Sequence, residues 1–403
     1  MAAYVGLGLT EGMVGVVWPR LRAEFALSAQ GQSYLTASFA AGFIAASLPH
    51  GRVLRRFTTG DVLVAAAVFG LVGALAIAAS QGSAWIVAGS FLLGMSGGCL
   101  DAALSSHASV HYPHQRVLLM HGGFGIGATV GPGVLTALLA LNLSWRVAYV
   151  GVAALQLGLL AAWVIDRRRW PSVSLAGRGL HDRTGPAPPD LGRARVKHGR
   201  LVVVLGIVGF FVYTGTELAV GNWANTLLLY RGLDAQWAGL ASTGYFGALM
   251  VGRFALSTVA ARFHPVAIVT IATTTALLFA VLFGVLGAAA PVLGAVALLG
   301  IGLSLAGVFP SLVALTPSRV GMTRAPAVMG RQLAAASLGA AALPGLVGWL
   351  VDQRSATVIG PAVAVFALGL LAVHALTSAA ARQPMLAPVG LHLVELDEPR
   401  DPV

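Results

Sequence analysis

Residues 200–226 read RLVVVLGIVGFFVYTGTELAVGNWANT, an apolar run in which Arg200 and Glu217 are the only charged residues. About twenty apolar residues in a row is the length a helix needs to cross the hydrocarbon of a bilayer. Soluble helices of that length are interrupted by charge every turn or two, and this one is not. The same pattern recurs along the chain, at 2–19, 33–50, 61–79, 84–108, 117–141 and 144–165, and then at 233–259, 264–285, 288–312, 324–351 and 355–379. The expected fold is therefore all-α: a polytopic membrane protein with twelve transmembrane helices, six before a polar break and six after it.

Composition agrees with that pattern. Of 403 residues, 57% are hydrophobic and 10% charged, and the mean hydropathy is +0.83, more apolar surface than a soluble core can hide. The formal net charge of +11 does not point to nucleic acid, because the Arg residues sit in the breaks between apolar runs rather than along one soluble face. The single cysteine, Cys99, excludes an intrachain disulfide and is read as a packing residue. The N-terminus enters an apolar run without a basic n-region, so it reads as an uncleaved first span.

The breaks divide the chain into an N-terminal six-helix bundle, 1–165, a linker, 166–200, a C-terminal six-helix bundle, 201–379, and a tail, 380–403. The linker is rich in Arg, Pro and Gly and has no apolar period. With both termini cytoplasmic, the cytoplasmic loops hold eighteen Lys and Arg residues, Arg319 among them, and the opposite loops hold five. That asymmetry predicts a multi-pass protein of the plasma membrane with linker and tail inside.

The halves also echo each other. Thr10-Glu11-Gly12-Met13-Val14-Gly15 is matched 206 residues later by Thr216-Glu217-Leu218-Ala219-Val220-Gly221, and Leu92-Leu93-Gly94 by Leu298-Leu299-Gly300 at the same offset. Six spans is an even number, so duplicated halves are parallel repeats, and folds of that kind hold their solute between the repeats.

Six plus six spans around a basic linker resemble the major facilitator superfamily. Gly51-Arg52-Val53-Leu54-Arg55-Arg56-Phe57 stands where that superfamily has its glycine–aspartate–arginine loop motif, with Arg55 at the aspartate position. Two further stretches resemble its fucose permease-like sugar:proton symporter branch. One is His121-Gly122-Gly123-Phe124-Gly125-Ile126-Gly127 with Gly131-Pro132. The other is Tyr213-Thr214-Gly215-Thr216-Glu217 with Asn222-Trp223 and Gly252-Arg253. The resemblance implies a secondary transporter working by alternating access as a monomer, with protons and a sugar or similar small polar metabolite as its partners besides the lipid.

An ionisable group at mid-bilayer costs about 2.5–3.5 kcal/mol, so each one retained implies a partner, a wet cavity or a task. Glu11 lies mid-way along the first span with Trp18 two turns on, a carboxylate and a ring that together suit a sugar; Trp18 also fits an interfacial anchor. Glu217 shares a polar stripe with Thr214 and Asn225, with Tyr213 at its edge, and the uncharged members also suit interhelical hydrogen bonding. Asp101 has Ser105 one turn below and Gly97 and Gly98 one turn above. That small face is expected to admit water or a ligand, and a carboxyl that alternates between dry and aqueous surroundings changes its protonation. His121 lies in the same half of the bilayer and suits a relay with Asp101, or a plain packing role. Arg331 in the eleventh span is the expected cation for Asp101 or Glu217, and Arg253 a gating or structural one.

Proton coupling is thus expected at Asp101, Glu11 and His121, and solute binding at Glu217, Asn225, Trp18, Tyr213 and Arg331. Proton-coupled export of an amphipathic, drug-like compound is the rival reading. The chain has no nucleophile elbow, metal-ligand motif or Gly-rich Lys-Ser/Thr nucleotide loop, so neither an enzyme nor a nucleotide-driven pump is expected, and no cofactor.

Overall fold

The computed structural model describes residues 1–27, 31–170 and 199–381, and among these every regular element is a helix. The first six are α1 (Ala2–Glu24), α2 (Gly31–Ser47), α3 (Thr59–Ala78), α4 (Ser83–His111), α5 (His114–Ala140) and α6 (Arg146–Asp166). The second six are α7 (Gly199–Tyr230), α8 (Ala235–Val259), α9 (Pro265–Ala289), α10 in two pieces, α10a (Pro291–Leu305) and α10b (Val308–Val320), α11 (Ala325–Gln353) and α12 (Ile359–Ala381). Ten spans satisfy the length and hydropathy of a bilayer crossing, with the two pieces of α10 counted as one. The remaining two, the charge-bearing α1 and the 17-residue α2, complete the sixes.

Local chemistry fixes several boundaries. Thr58 and Asp61 form a reciprocal capping box at the start of α3, their side chains and backbone amides bonding at 2.8 and 3.1 Å. Within α10, Pro310 lacks the N–H that would bond to the carbonyl of Ala306, and its ring crowds that carbonyl, so the span breaks at Ala306 and Gly307. The break frees the Leu305 carbonyl, which accepts a hydrogen bond from the Tyr213 hydroxyl at 3.2 Å. Past the break α10b runs to Val320, eight residues beyond the expected end at 312, so Arg319 belongs to a helix and not to a loop.

The two halves repeat the same packing. α1 lies on α5 as α7 lies on α11; α2 lies on α4 as α8 lies on α10; α3 and α6 pair as α9 and α12 do. Lipid is as apolar as Leu, so such contacts depend on small residues that let backbones approach. A Cβ on Gly127 would run into the Val5 carbonyl, and one on Gly339 into the Phe211 carbonyl. Val5 and Phe211 stand at the 206-residue offset of the sequence repeat, so the duplication extends to the contacts. The halves meet through α2 with α11 and α8 with α5, which are symmetry mates. α5, with Pro132 inside it, lies between α1 and α8, whereas the Pro344 region of α11 lies on α7, where Trp223 donates to the Pro344 carbonyl at 2.9 Å.

The outer faces are apolar. Val68, Val72 and Leu75 on α3, and Leu278, Val281 and Val285 on α9, are exposed at helical spacing, as lipid-facing residues must be. One end of the bundle, here the linker end, carries the loops around residues 48–58, 112–113, 260–264 and 321–324; the opposite end is the distal end. At the linker end Asp61 pairs with Arg167 and the Gly60 amide donates to the Trp170 carbonyl, which pins the start of the linker against α3. Residues 171–198 and 382–403, most of the expected linker and tail, lie outside the described residues.

Candidate functional site

The close approaches between halves cluster toward the linker end. A Cβ on Gly51 would meet Ala327, one on Gly330 would meet Ser47 and His50, and Gly122 and Gly125 face Phe254 and Met250. His114 bonds to the Ser311 hydroxyl there at 3.0 Å. Toward the distal end the space beside Gly133 on α5 and Gly239 on α8 is open. The halves therefore seal at the linker end, and a crevice is left between them at mid-span, where Glu11 is exposed within electrostatic reach of Glu217 across it.

Glu11 lies at this crevice. Its side chain is exposed although it is mid-span, and it is within electrostatic reach of Asp101 in its own half and of Glu217 in the other. Asp101 is 7% exposed, and its Oδ1 accepts from the Tyr4 hydroxyl at 2.6 Å and from the Ser105 hydroxyl at 2.7 Å. The expected one-turn partnership of Asp101 with Ser105 is present. The expected opening above it is not, because Gly97 and Gly98 are used for packing against Leu7 and Phe43.

Tyr4 links this acid to His121. Its ring packs edge-on against the imidazole at 4.8 Å between centroids, and Phe309 closes the other side at 5.1 Å. His121 therefore does not touch Asp101 directly; its Nε2 is buried without a partner, and its backbone carbonyl accepts from Arg253 at 3.4 Å. Arg253 in turn pairs with Glu217 at 3.3 Å, both side chains nearly out of solvent. A continuous chain of groups thus crosses between the halves, from Asp101 through Tyr4, His121 and Arg253 to Glu217.

The cation in this chain differs from the expected one. Arg331 is exposed and, among the described residues, makes no ion pair with Glu11, Asp101 or Glu217, the last of which is held by Arg253. Tyr213 is also placed otherwise: it is fully buried, with its hydroxyl against Glu217, Arg253 and the Leu305 carbonyl, so it supports the ion pair and does not line the crevice. Trp18 follows Glu11 by two turns of the same helix, α1. It packs on the core of the first half and lines a recess of about 370 Å³ at the distal end with Arg22 and Leu27.

Asn225, on the same helix as Glu217, keeps an unsatisfied polar atom. Its Oδ1 is buried without a hydrogen-bond partner, as are the hydroxyls of Thr214 on the same helix and Ser242 on α8. Sequence reasoning missed Tyr4, Ser242 and Tyr245, whose hydroxyl donates to the Glu217 carbonyl at 2.9 Å. Tyr4 had a usable signal, since it precedes Glu11 by seven residues and so shares its helix face. Among the described residues, no group of three His, Cys, Asp or Glu side chains is placed to hold a metal ion.

The sequence model described as Major Facilitator Superfamily matches residues 1–344. The chain belongs to that superfamily. No curated protein matches it significantly in sequence. Among solved structures it is similar to a Major Facilitator Superfamily transporter, FucP, in the outward conformation, with a TM-score of 0.72 and 17% identity over 95% of this chain and 97% of that one. It is also similar to a variant of the E. coli fucose:proton symporter FucP, with a TM-score of 0.73 and 15% identity over 95% and 97%. The human organic anion transporter MFSD10 (TETRAN) matches with a TM-score of 0.67 and 16% identity over 93% and 98%. At these identities the shared property is the fold: two parallel six-helix repeats in a multi-pass membrane transporter, a family whose members are generally not enzymes.

Proposed function

We propose that this chain is a proton-coupled symporter that takes up a sugar or similar small polar metabolite by alternating access. One observation carries the reading: Glu11 opens on the crevice, unpaired, within reach of an acid in each half. Three carboxylates face a single guanidinium there, and the excess negative charge is offset by a proton or a cation. Glu11 and Asp101 carry the proton, with Tyr4 and His121 positioning Asp101. Glu217, held by Arg253, and the unpartnered Asn225, Thr214 and Ser242 take the solute's hydroxyl groups. The similarity to a fucose:proton symporter supports the same substrate class and coupling ion.

In this reading the bundles 1–165 and 201–379 rock about the α2–α11 and α5–α8 contacts, the linker end is cytoplasmic in the plasma membrane, and the monomer is the working unit. A thermal-shift screen of the purified protein against sugars, polyols, nucleosides and amphipathic drugs tests the substrate class. A neutral polyhydroxyl solute is expected to stabilise the protein, and the stabilisation to vanish in Asn225→Ala and Glu217→Gln. Stabilisation by amphipathic drugs alone would refute the proposal.

A further inference from the structure

Arg319, expected in a loop, lies in the last turn of α10b with Nη2 buried and without a hydrogen-bond partner. It faces a recess inside the second half, lined by α7, α9, α10b, α11 and α12, of about 340 Å³ including its mouth, with an inner space of about 10 Å³. That inner space holds a single water-sized group. His374 of α12 contributes an Nδ1 with no partner, its Nε2 being bonded to the Thr270 hydroxyl at 2.9 Å. Gln332 of α11 has its carbonyl oxygen engaged by the Thr316 hydroxyl at 2.9 Å, and its amide nitrogen is turned toward Gly206. No carboxylate lines the recess, and no ion pair engages Arg319 among the described residues.

A guanidinium withdrawn from water without a counter-charge costs several kcal/mol, so it is retained where an anion meets it. The planar guanidinium matches the oxygens of a phosphate, and basic pockets between helices at the membrane surface suit lipid headgroups. We propose that this recess binds a phosphate-bearing anion, one oxygen entering the inner space toward Arg319, Gln332 and His374. The location fits a membrane-surface ligand, since Arg319 is one residue from the end of α10b and α12 ends seven residues past His374 at the same end. Because the site is in the second half alone, away from the crevice, it is independent of the solute and proton reading.

The test uses the full chain in a maltoside detergent with chloride at matched ionic strength. Phosphatidylglycerol or inorganic phosphate is then added, and the thermal midpoint is read. The expected result is a saturable rise of about 2–4 °C. A rise with the lipid alone identifies a headgroup, and one with inorganic phosphate as well identifies a free anion. The rise is lost in Arg319→Gln. It is lost too in Gly206→Val, which fills the recess while leaving the guanidinium in place. No rise in the wild-type protein, or equal rises in the wild type and Gly206→Val, overturns the proposal.

Discussion

The buried pair of Arg253 and Glu217 is the part of the site most exposed to a single substitution. Removing one member of a pair so far from solvent leaves a charge without compensation, at a cost of about 3–5 kcal/mol. Arg253→Ala is therefore expected to lower the thermal midpoint of the purified protein sharply, with much of the loss recovered by combining Arg253→Met with Glu217→Gln. Tyr4→Phe removes one of two donors to Asp101 and is expected to cost about 1.5–3 kcal/mol, read in the same assay. The acids Glu11, Asp101 and Glu217 were legible in the sequence because each interrupts a long apolar run. Their partners were less so: Tyr4 is marked only by its seven-residue spacing from Glu11, Tyr245 blends into apolar sequence, and the cation expected for the acids was Arg331, not Arg253. Which of Arg253 and Arg331 faces inward depends on how α8 and α11 are rotated by packing, which hydropathy does not encode.

At the scale of elements, the helix contacts rest on residues without side chains. Gly127→Val would drive a side chain into the backbone of α1 and force α1 and α5 apart, a strain of about 1–3 kcal/mol. Gly133→Ala, two turns further along α5 with open space beside it, is expected to leave stability unchanged. The pair of variants, compared by thermal midpoint, separates close packing from a general dislike of larger residues in α5. The twelve spans and the repeat were readable because hydropathy and the 206-residue offset are properties of the sequence itself. The end of the tenth span was not, since Pro317 next to Thr316 and Ser318 has the local signature of a turn. Pro317 nonetheless lies inside α10b, beside Thr316, whose hydroxyl bonds to the Leu312 carbonyl and to Gln332.

The whole molecule is a pair of parallel bundles closed at the linker end, and alternating access requires that closure to release. Gly51 and Ala327 meet across the seal so closely that any side chain at 51 would push the halves apart there. The central claim, that acids embedded between the bundles carry protons with the solute, is tested most directly in proteoliposomes. An acid-outside gradient is predicted to drive solute accumulation by the wild-type protein. Asp101→Asn and Glu11→Gln are each predicted to abolish accumulation while retaining solute exchange across the membrane. Accumulation undiminished in both variants would contradict the account.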